Sequence, residues 1–266
     1  MRSKKFVIGY AVAIFLIVFL ITFNSVCSIT QFDVRYDVGS EKAETLSKNV
    51  QNRLDGYLRK SFLFFSEQDV YSAVEKEGGG YLEVVSVQKR FPNKITVQIK
   101  EVYEEYAFKT QEGYVVLDAE GNFIALKEDA GNNVNGSNVE IVGLNIAVDE
   151  QTGEIVADDP SVFSLILQLC TAANGKLGGI RDNIARIEYL PDENTGFNHL
   201  VFTMREGMKI LIMNVADENG MPEACFSAAL DKYLALGDAD RLHGYIMPVL
   251  SEGNIQADYN PGESPL

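Results

Sequence analysis

The pattern of hydrophobic and polar positions separates one long apolar segment from two longer regions in which apolar and polar residues alternate. Residues Phe6–Phe23 form a run of 18 without a charge. At about 1.5 Å per helical residue this run spans roughly 27 Å, close to the hydrocarbon thickness of a bilayer. We therefore predict an uncleaved transmembrane helix within residues 6–27, with Phe6–Phe23 in the lipid bilayer. Residues 1–5 carry three basic side chains and are predicted to form a cytoplasmic tail, with the rest of the chain outside.

Two processing alternatives stand beside the transmembrane helix. A cleaved signal peptide would need a small-residue cleavage site, and Val26-Cys27-Ser28 could serve as one, although its apolar region is usually only 7–15 residues long. A lipoprotein attached through Cys27 is disfavoured because Val26 replaces the small residue expected before the cysteine.

The region from 28 to 102 has the pattern of a small mixed domain. Ile29–Val38 alternates apolar and polar residues, which predicts a strand with one wet face. Ser40 is a predicted N-cap for a helix, and Ser66 to Asp69 resembles a capping box for a second helix that ends before Gly78. Two strands then flank a turn at Phe91-Pro92-Asn93. The predicted order is β-α-α-β-β.

The region from 103 to 259 is predicted to be a β-rich domain with an antiparallel sheet and two or more helices. The helices are predicted at Ser161–Ala173 and Pro222–Leu236. A hairpin joins His199–Met204 to Met208–Met213, and a last hairpin joins Tyr245–Leu250 to Ile255–Tyr259. Residues 260–266 contain two prolines and a glycine and are predicted to be a loose tail. The predicted fold class is α+β.

Composition and charge narrow the range of partners. The chain has 266 residues and a net charge of −15, and three of its basic residues stand in the first five. An acidic exterior disfavours nucleic acid or an anionic membrane surface as a partner because like charges repel. Such a charge also serves plain solubility, which is the interpretation that we prefer. Three cysteines do not make a disulfide framework, and Cys170 and Cys225 are predicted to be buried thiols.

Residues that could carry chemistry are few. His199 and His243 have no neighbouring ligand at a metal-binding spacing, and no nucleophile or phosphate-binding motif is present. The acidic pairs Asp158/Asp159 and Glu104/Glu105 could be imagined as glycosidase carboxylates, but 38 acidic residues supply such pairs by chance. We therefore assign no catalytic residue, no cofactor and no metal ligand.

One stretch resembles a known family. The sequence from Val84 to Glu101 is similar to the strand, basic residue, aromatic-Pro-Asn turn, strand and glutamate of the bacterial division proteins FtsQ/DivIB. Ala107 and the hairpin Tyr114–Gly121 resemble the features that follow this pattern in the family. Phe91 stands where the family often has tryptophan, and the basic residue after the glutamate and the proline before the alanine are missing. The resemblance covers about residues 32–126 and is only architectural from Glu128 onward.

The resemblance implies a polypeptide-transport-associated (POTRA) domain over residues 28–102 and the family's β domain over 103–259. It implies a non-enzymatic, membrane-anchored scaffold at the division septum, which binds FtsB/DivIC-like and FtsL-like proteins outside the cytoplasmic membrane. The alternative is a signal-anchored envelope enzyme that acts on cell-wall glycan through carboxylates. A buried carboxylate with a strongly raised pKa in a cleft of the C-terminal domain would favour that enzyme. A POTRA-bearing transport component is a third possibility.

The last hairpin is the predicted partner site. A final strand has no successor in sequence to cover it, so it is a natural free sheet edge to which a partner can add a strand. Ile255, Ala257 and Tyr259 are predicted to share one face, with Asn254, Gln256 and Asp258 on the other. Tyr245 and Tyr259 are the predicted aromatic anchors. The resemblance also points to the last strand. The predicted partner-binding residues are Tyr245, Ile255, Gln256, Ala257 and Tyr259. An alternative is that the hairpin is ordinary core sheet.

Overall fold

The chain folds into two α+β units, each built on a sheet of its own. The structure, a computed structural model, describes residues 12–19, 22, 26–133, 136–149, 152–191, 196–215, 221–251 and 254–266. The units are Met1–Val102 and Tyr103–Leu266. Their boundary lies at the same residue pair at which the sequence pattern changes from mixed to β-rich.

The structure contradicts the predicted transmembrane helix. In the part of the chain that is described, no helix is long and apolar enough to cross a membrane. Of the run Phe6–Phe23, residues 12–19 and 22 are described and helical, whereas 6–11, 20, 21 and 23 lie outside the described residues, as does the tail 1–5.

The first unit has the predicted order of strands and helices. Its three strands form one sheet in the order β1-β3-β2, with β1 parallel and β2 antiparallel to β3. The two helices contact each other and the strands, and their apolar stripes close a core with the sheet. The elements are β1 (Gln31–Asp37), α1 (Glu41–Asp55), α2 (Glu67–Gly78), β2 (Leu82–Arg90) and β3 (Lys94–Glu101).

Short-range signals explain where both helices of this unit begin. The Ser40 hydroxyl accepts a hydrogen bond from the Ala43 N–H at 3.0 Å, which satisfies one free donor of the first turn of α1. Ser66 and Asp69 form a capping box at the start of α2, with the Ser66 N–H bonded to Asp69 Oδ2 at 2.8 Å. Both predicted caps are confirmed.

Glu101 connects the end of β3 to the start of α1. Its Oε2 accepts hydrogen bonds from the Gly39 N–H at 2.7 Å and the Ser40 N–H at 3.1 Å. Its Oε1 accepts one from the Ser40 hydroxyl. The side chain is only 9% exposed, so these donors replace the water that a buried carboxylate has lost. The glutamate of the family-like stretch therefore has a structural role in this unit.

The second unit is built on a sheet of nine strands. The strand order is β16-β15-β14-β13-β12-β9-β4-β5-β6, and two small sheets pair β7 with β8 and β10 with β11. The strands are β4 (Tyr106–Thr110), β5 (Gly113–Leu117), β6 (Phe123–Lys127), β7 (Asn132–Asn133), β8 (Gly136–Ser137), β9 (Val139–Val142), β10 (Ile146–Val148), β11 (Ile155–Ala157), β12 (Ile184–Pro191), β13 (Asn198–Met204), β14 (Lys209–Ile212), β15 (Tyr245–Ser251) and β16 (Asn254–Asn260). The helices are α3 (Pro160–Leu177), α4 (Ile180–Asn183), α5 (Pro222–Ala235) and a short 3-10 turn at Asp240–Leu242.

The large sheet is mixed, which corrects the prediction of an antiparallel sheet. Strands β4 and β9, β9 and β12, and β14 and β15 pair in parallel, and the other neighbours are antiparallel. Parallel neighbours need a long crossover connection. The chain supplies α3 between β9 and β12, and α5 between β14 and β15. The predicted hairpins at both ends of the sheet are present. The sequence pattern did not predict which strands in the middle of the sheet pair with the strands of these hairpins.

The core of the second unit is formed by the large sheet with α3 and α5. The rings of Phe202 and Phe226 lie 4.3 Å apart, and those of Phe108 and Phe163 lie 5.5 Å apart. Helix α3 continues to Leu177, beyond the predicted end at Ala173, and stops at Gly178, whose φ of 74° suits glycine. The thiols of Cys170 and Cys225 are buried and unbridged, as predicted. Burial raises the pKa of Cys170 to about 12.

Candidate partner-binding edge of the large sheet

The last strand of the chain is an edge strand. Among the described residues, strand β16 ends the order of the nine-stranded sheet, and it pairs with β15 over seven residue pairs, from Tyr245–Asn260 to Ser251–Asn254. Strand β15 in turn pairs with β14 only through Tyr245 and Ile246. Beyond Ile246, therefore, the hairpin continues past β14 as a two-stranded ribbon.

The direction of the backbone groups in this ribbon follows from its junction with β14. The Lys209 N–H of β14 donates to the carbonyl of Gly244 at 3.1 Å. Backbone groups alternate from one side of a strand to the other, so the even-numbered residues of β15 direct theirs toward β14. The odd-numbered residues of β15 direct theirs toward β16.

The same alternation identifies the groups on the outer edge of β16. The odd-numbered residues of β15 pair with Asn254, Gln256, Asp258 and Asn260, without a register shift. The alternate residues Ile255, Ala257 and Tyr259 therefore point their N–H and C=O groups away from the sheet. The backbone of Gln256 faces β15. Three of the five predicted partner-binding residues thus offer main-chain groups at the edge, and Gln256 does not.

The opposite edge of the ribbon is interrupted by a proline. Pro248 is an even-numbered residue of β15, so its nitrogen lies on the side away from β16 and beyond the end of the pairing with β14. A proline has no N–H to donate and is found at sheet edges for that reason. Prolines at edges also discourage strand addition. The ribbon therefore has one edge with a regular row of donors, formed by β16.

The side chains of β16 alternate between two faces, as predicted. Ile255, Ala257 and Tyr259 are half-buried and pack against the core, while the side chains between them are exposed. Helix α5 contacts both β15 and β16. The Tyr259 hydroxyl lies 3.4 Å from Nε2 of His243, and the two rings meet edge to face. Tyr259 is thus held in place before any partner arrives.

The two predicted aromatic anchors lie on opposite faces of the sheet. Tyr259 is paired with Ile246, which is fully buried, whereas Tyr245 is paired with Asn260, which is exposed. The Asn260 amide donates to the Tyr245 hydroxyl at 3.1 Å. The sheet therefore separates the two tyrosines, and they cannot form a single anchor pair. Gln256 lies on the same face as Tyr245.

Sequence reasoning missed an apolar strip beside the edge. Met247 is half-buried and Val249 is 49% exposed. Both are odd-numbered residues of β15, like Tyr245, so their side chains lie on the same face of the sheet as the Tyr245 side chain. The signal was present in the sequence of Tyr245–Ser251, YIMPVLS, in which odd- and even-numbered positions alike carry apolar residues. A strand of this kind is expected when both of its faces contact apolar groups.

The acidic pair Glu104/Glu105 forms structural ion pairs. Glu104 is 3% exposed, and its two oxygens accept hydrogen bonds from Lys127 Nζ at 2.6 and 2.7 Å and one from the Asn138 amide at 2.9 Å. Burial raises the pKa of Glu105, and the guanidinium of Arg181, 4.0 Å away, opposes that rise. Each carboxylate thus lies close to a cation of its own unit.

The acidic pair Asp158/Asp159 also has structural partners. The Asp158 carboxylate accepts a hydrogen bond from the Asn145 amide at 2.7 Å. Asp159 caps α3 by accepting from the N–H groups of Ser161 and Val162, both at 3.1 Å. The hydrogen bond from the Ser161 hydroxyl lowers the pKa of Asp159, and the two backbone bonds act in the same direction.

Replacing Asp159 with Ala should lower the free energy of unfolding by about 1 kcal/mol at neutral pH, because α3 loses its N-cap. The folded-state pKa of Asp159 is depressed, so its contribution is present above the unfolded pKa and lost as the pH falls through the folded pKa. The difference in the free energy of unfolding between the parent and the variant should therefore become smaller below about pH 4. Urea unfolding followed by circular dichroism at several pH values measures this. A gap that is the same at all pH values would contradict the charged cap.

The two histidines have separate surroundings. Nδ1 of His199 accepts a hydrogen bond from the Asn214 N–H at 3.1 Å, and His243 lies against Tyr259. Within the described ranges, no three His, Cys, Asp or Glu side chains are grouped so that they could hold a metal ion.

Comparison of the chain with protein-family models and with curated proteins gives no match. The resemblance to the FtsQ/DivIB proteins therefore remains a prediction, and it rests on the residues of the Val84–Glu101 stretch and the hairpin that follows it.

Proposed function

We propose that the protein is a non-enzymatic scaffold of the bacterial division machinery, acting at the septum. It binds FtsB/DivIC-like and FtsL-like division proteins by adding a strand of the partner to β16. The observation that carries this proposal is the outer edge of β16, where Ile255, Ala257 and Tyr259 direct their N–H and C=O groups away from the sheet.

Strand addition to this edge has a favourable main-chain component. The three outward residues offer three donors and three acceptors, so an added strand can make about six hydrogen bonds, each worth roughly 1 kcal/mol net. Association costs several kcal/mol in lost freedom, and main-chain bonds alone would leave little affinity. The edge is already ordered by its ladder with β15 and by the packing of α5, which lowers the cost of binding.

Side chains next to the edge would supply the rest of the affinity and the choice of partner. Alternate side chains of an added strand fall on the two faces of the sheet. One face of the ribbon offers Met247 and Val249 as an apolar strip, with the carboxylate of Asp258 beside it. The partner strand that fits this surface best has apolar residues at every second position, on the face of Met247 and Val249, and a basic residue opposite Asp258.

The first unit also supports the proposal. The resemblance implies a small domain of the order β-α-α-β-β before the partner-binding domain, and the unit Met1–Val102 has that order of elements. Its buried Glu101 explains why the family-like stretch ends on a glutamate, because the start of α1 depends on that carboxylate.

Site-specific photo-crosslinking in dividing bacterial cells tests the proposed function. A benzophenone amino acid replaces Gln256, whose exposed side chain lies beside the edge, and a control replaces the exposed Glu112 in the turn between β4 and β5. The full chain should crosslink to small division proteins from position 256 and not from position 112, as read by mass spectrometry of the captured products. Identical products from both positions, or products from position 256 without any division protein, would overturn the proposal.

A further inference from the structure

Two turns of the first unit carry bulky apolar side chains in the open. Phe64 is 90% exposed, Phe91 is 70% exposed and Leu63 is 51% exposed. Single apolar residues on a surface are ordinary, but neighbouring ones mark an interaction site. Side chains exposed to this degree project from the surface instead of lining a groove.

The two turns lie side by side. The rings of Phe62 and Phe91 are 6.3 Å apart, edge to face, so the turn at Phe91 rests on the turn that holds Phe64. The Lys89 ammonium donates to the carbonyl of Phe65 at 2.5 Å, which is a second link between them. The segments 58–66 and 88–94 are therefore in contact with each other.

These two segments are basic in an otherwise acidic protein. The two segments carry five basic residues and no acidic one, whereas the whole chain has a net charge of −15. We call the three apolar side chains together with these cations the aromatic–basic patch. Lys94 is half-buried and lies 3.4 Å from Asp33, and the other four cations are exposed. The basic residues of the patch are Arg59, Lys60, Lys89, Arg90 and Lys94.

The chain enters the folded unit beside the patch. The Phe62 N–H donates to the carbonyl of Cys27 at 2.7 Å, and Ser28 bridges to Ser61. The chain before this point contains helical residues 12–19, whose described apolar side chains are exposed, with Phe15 at 68%. Exposed apolar surface is thus found both on the patch and on the segment that leads into it.

We propose that the aromatic–basic patch docks the first unit on an anionic lipid surface. Phenylalanine and leucine side chains enter the boundary between headgroups and acyl chains, and lysine and arginine bind the phosphates above it. A cation near an anionic surface contributes about 1 kcal/mol. A projecting side chain fits a fluid interface without a preformed pocket, which favours lipid over an acidic protein as the partner. This docking requires no transmembrane helix.

A single tryptophan placed in the patch tests this proposal. The chain contains no tryptophan, so Phe64→Trp in the full chain reports from that position alone. With vesicles of phosphatidylglycerol and phosphatidylcholine, the emission should shift to the blue and be quenched by lipids that carry a quencher in their acyl chains. With phosphatidylcholine vesicles alone the emission should stay where it is in buffer.

Two further variants complete the test. Tyr71→Trp, at a 42% exposed position of α2, is the matched control and should show no shift with either vesicle. Adding Arg59→Gln and Arg90→Gln to the Phe64→Trp chain should weaken binding to anionic vesicles by roughly fivefold for each cation removed. Both arginines are exposed, so circular dichroism should show the parental fold.

Three outcomes would overturn the docking proposal. One is an unshifted Phe64→Trp spectrum with anionic vesicles. Another is an equal shift in the Phe64→Trp and Tyr71→Trp chains, which indicates adsorption without a defined face. The third is an affinity for anionic vesicles that does not change when both arginines are removed, or a shift that an acidic polypeptide reproduces without lipid. The shift without lipid would assign the patch to a protein partner.

Discussion

Replacing Ala257 with Pro should weaken binding of the proposed division partner roughly a hundredfold while leaving the fold intact. The N–H of Ala257 points to the outer edge of β16, so its removal breaks no hydrogen bond inside the sheet. An added strand would lose the central donor of the edge and meet the pyrrolidine ring in its place. An unmade hydrogen bond together with the steric conflict is worth about 2–3 kcal/mol, so we expect affinity to fall roughly a hundredfold. Titration calorimetry with the partner identified by crosslinking measures this.

Gln256→Pro is the matched control for that variant. Its N–H faces β15 and pairs with Val249, so a proline there removes a ladder bond and should lower the melting temperature. Ala257→Pro should keep the parental melting temperature and bind the partner more weakly. If Ala257→Pro binds at parental affinity, β16 is not the site, and if it melts as early as Gln256→Pro, the assigned direction of the edge is wrong.

Replacing Glu101 with Ala should destabilise the first unit by about 3 kcal/mol. The change removes the carboxylate that accepts hydrogen bonds from the Gly39 and Ser40 N–H groups. The Ser40 hydroxyl, which caps α1, also loses its hydrogen bond to that carboxylate. Donors left unsatisfied in a buried site cost about 1–3 kcal/mol each, and water that enters the vacated space recovers part of this. Urea unfolding of the full chain, followed by hydrogen exchange of the amides of β1, α1 and β3, separates the first unit from the second.

Glu83→Ala serves as the control in the same sheet. Glu83 lies on β2, is exposed, and forms a surface ion pair with Lys100 at 3.0 Å. Exposed pairs of this kind contribute less than about 1 kcal/mol. Equal losses of stability in the Glu101 and Glu83 variants would show that the buried hydrogen bonds to α1 do not stabilise the unit.

The first unit could be predicted from its sequence because its signals are local. Ser40 and Ser66 stand where helix caps are needed, and their partners lie three residues away. Alternation in β1 and β3 fixes which residues face the core, since a slip of one residue would expose them all. The transmembrane prediction rested on the length of the apolar run and on the basic residues before it, and it was wrong.

The arrangement of the large sheet could not be predicted because it depends on contacts between distant parts of the chain. Strand β9 has four residues and lies between β4 and β12, both in parallel. Nothing in a four-residue apolar segment specifies two such neighbours. The choice follows from how α3 and α5 cover the sheet, and that packing involves residues from the whole unit.

The candidate site was predicted in part. The position of β16 at an edge follows from its place at the end of the chain, and the parity of its side chains follows from alternation. Which backbone groups point outward depends on the hydrogen bond between Lys209 and Gly244, which joins residues 35 positions apart. Without that bond, Gln256 and Ala257 are equally plausible donors, and the separation of Tyr245 from Tyr259 is not visible.

Pro248 has a consequence for the stoichiometry of assembly. It removes a donor from one side of the terminal ribbon, while β16 keeps a full row on the other side. The ribbon can therefore accept one added strand, at β16. Its β15 side offers no equivalent edge for a second strand, because Pro248 has no N–H to donate there. If partners bind by the proposed strand addition, the number of partner molecules at this ribbon rises in direct proportion to the number of copies of this chain. The ribbon would not then start a series of further strand additions on its β15 side.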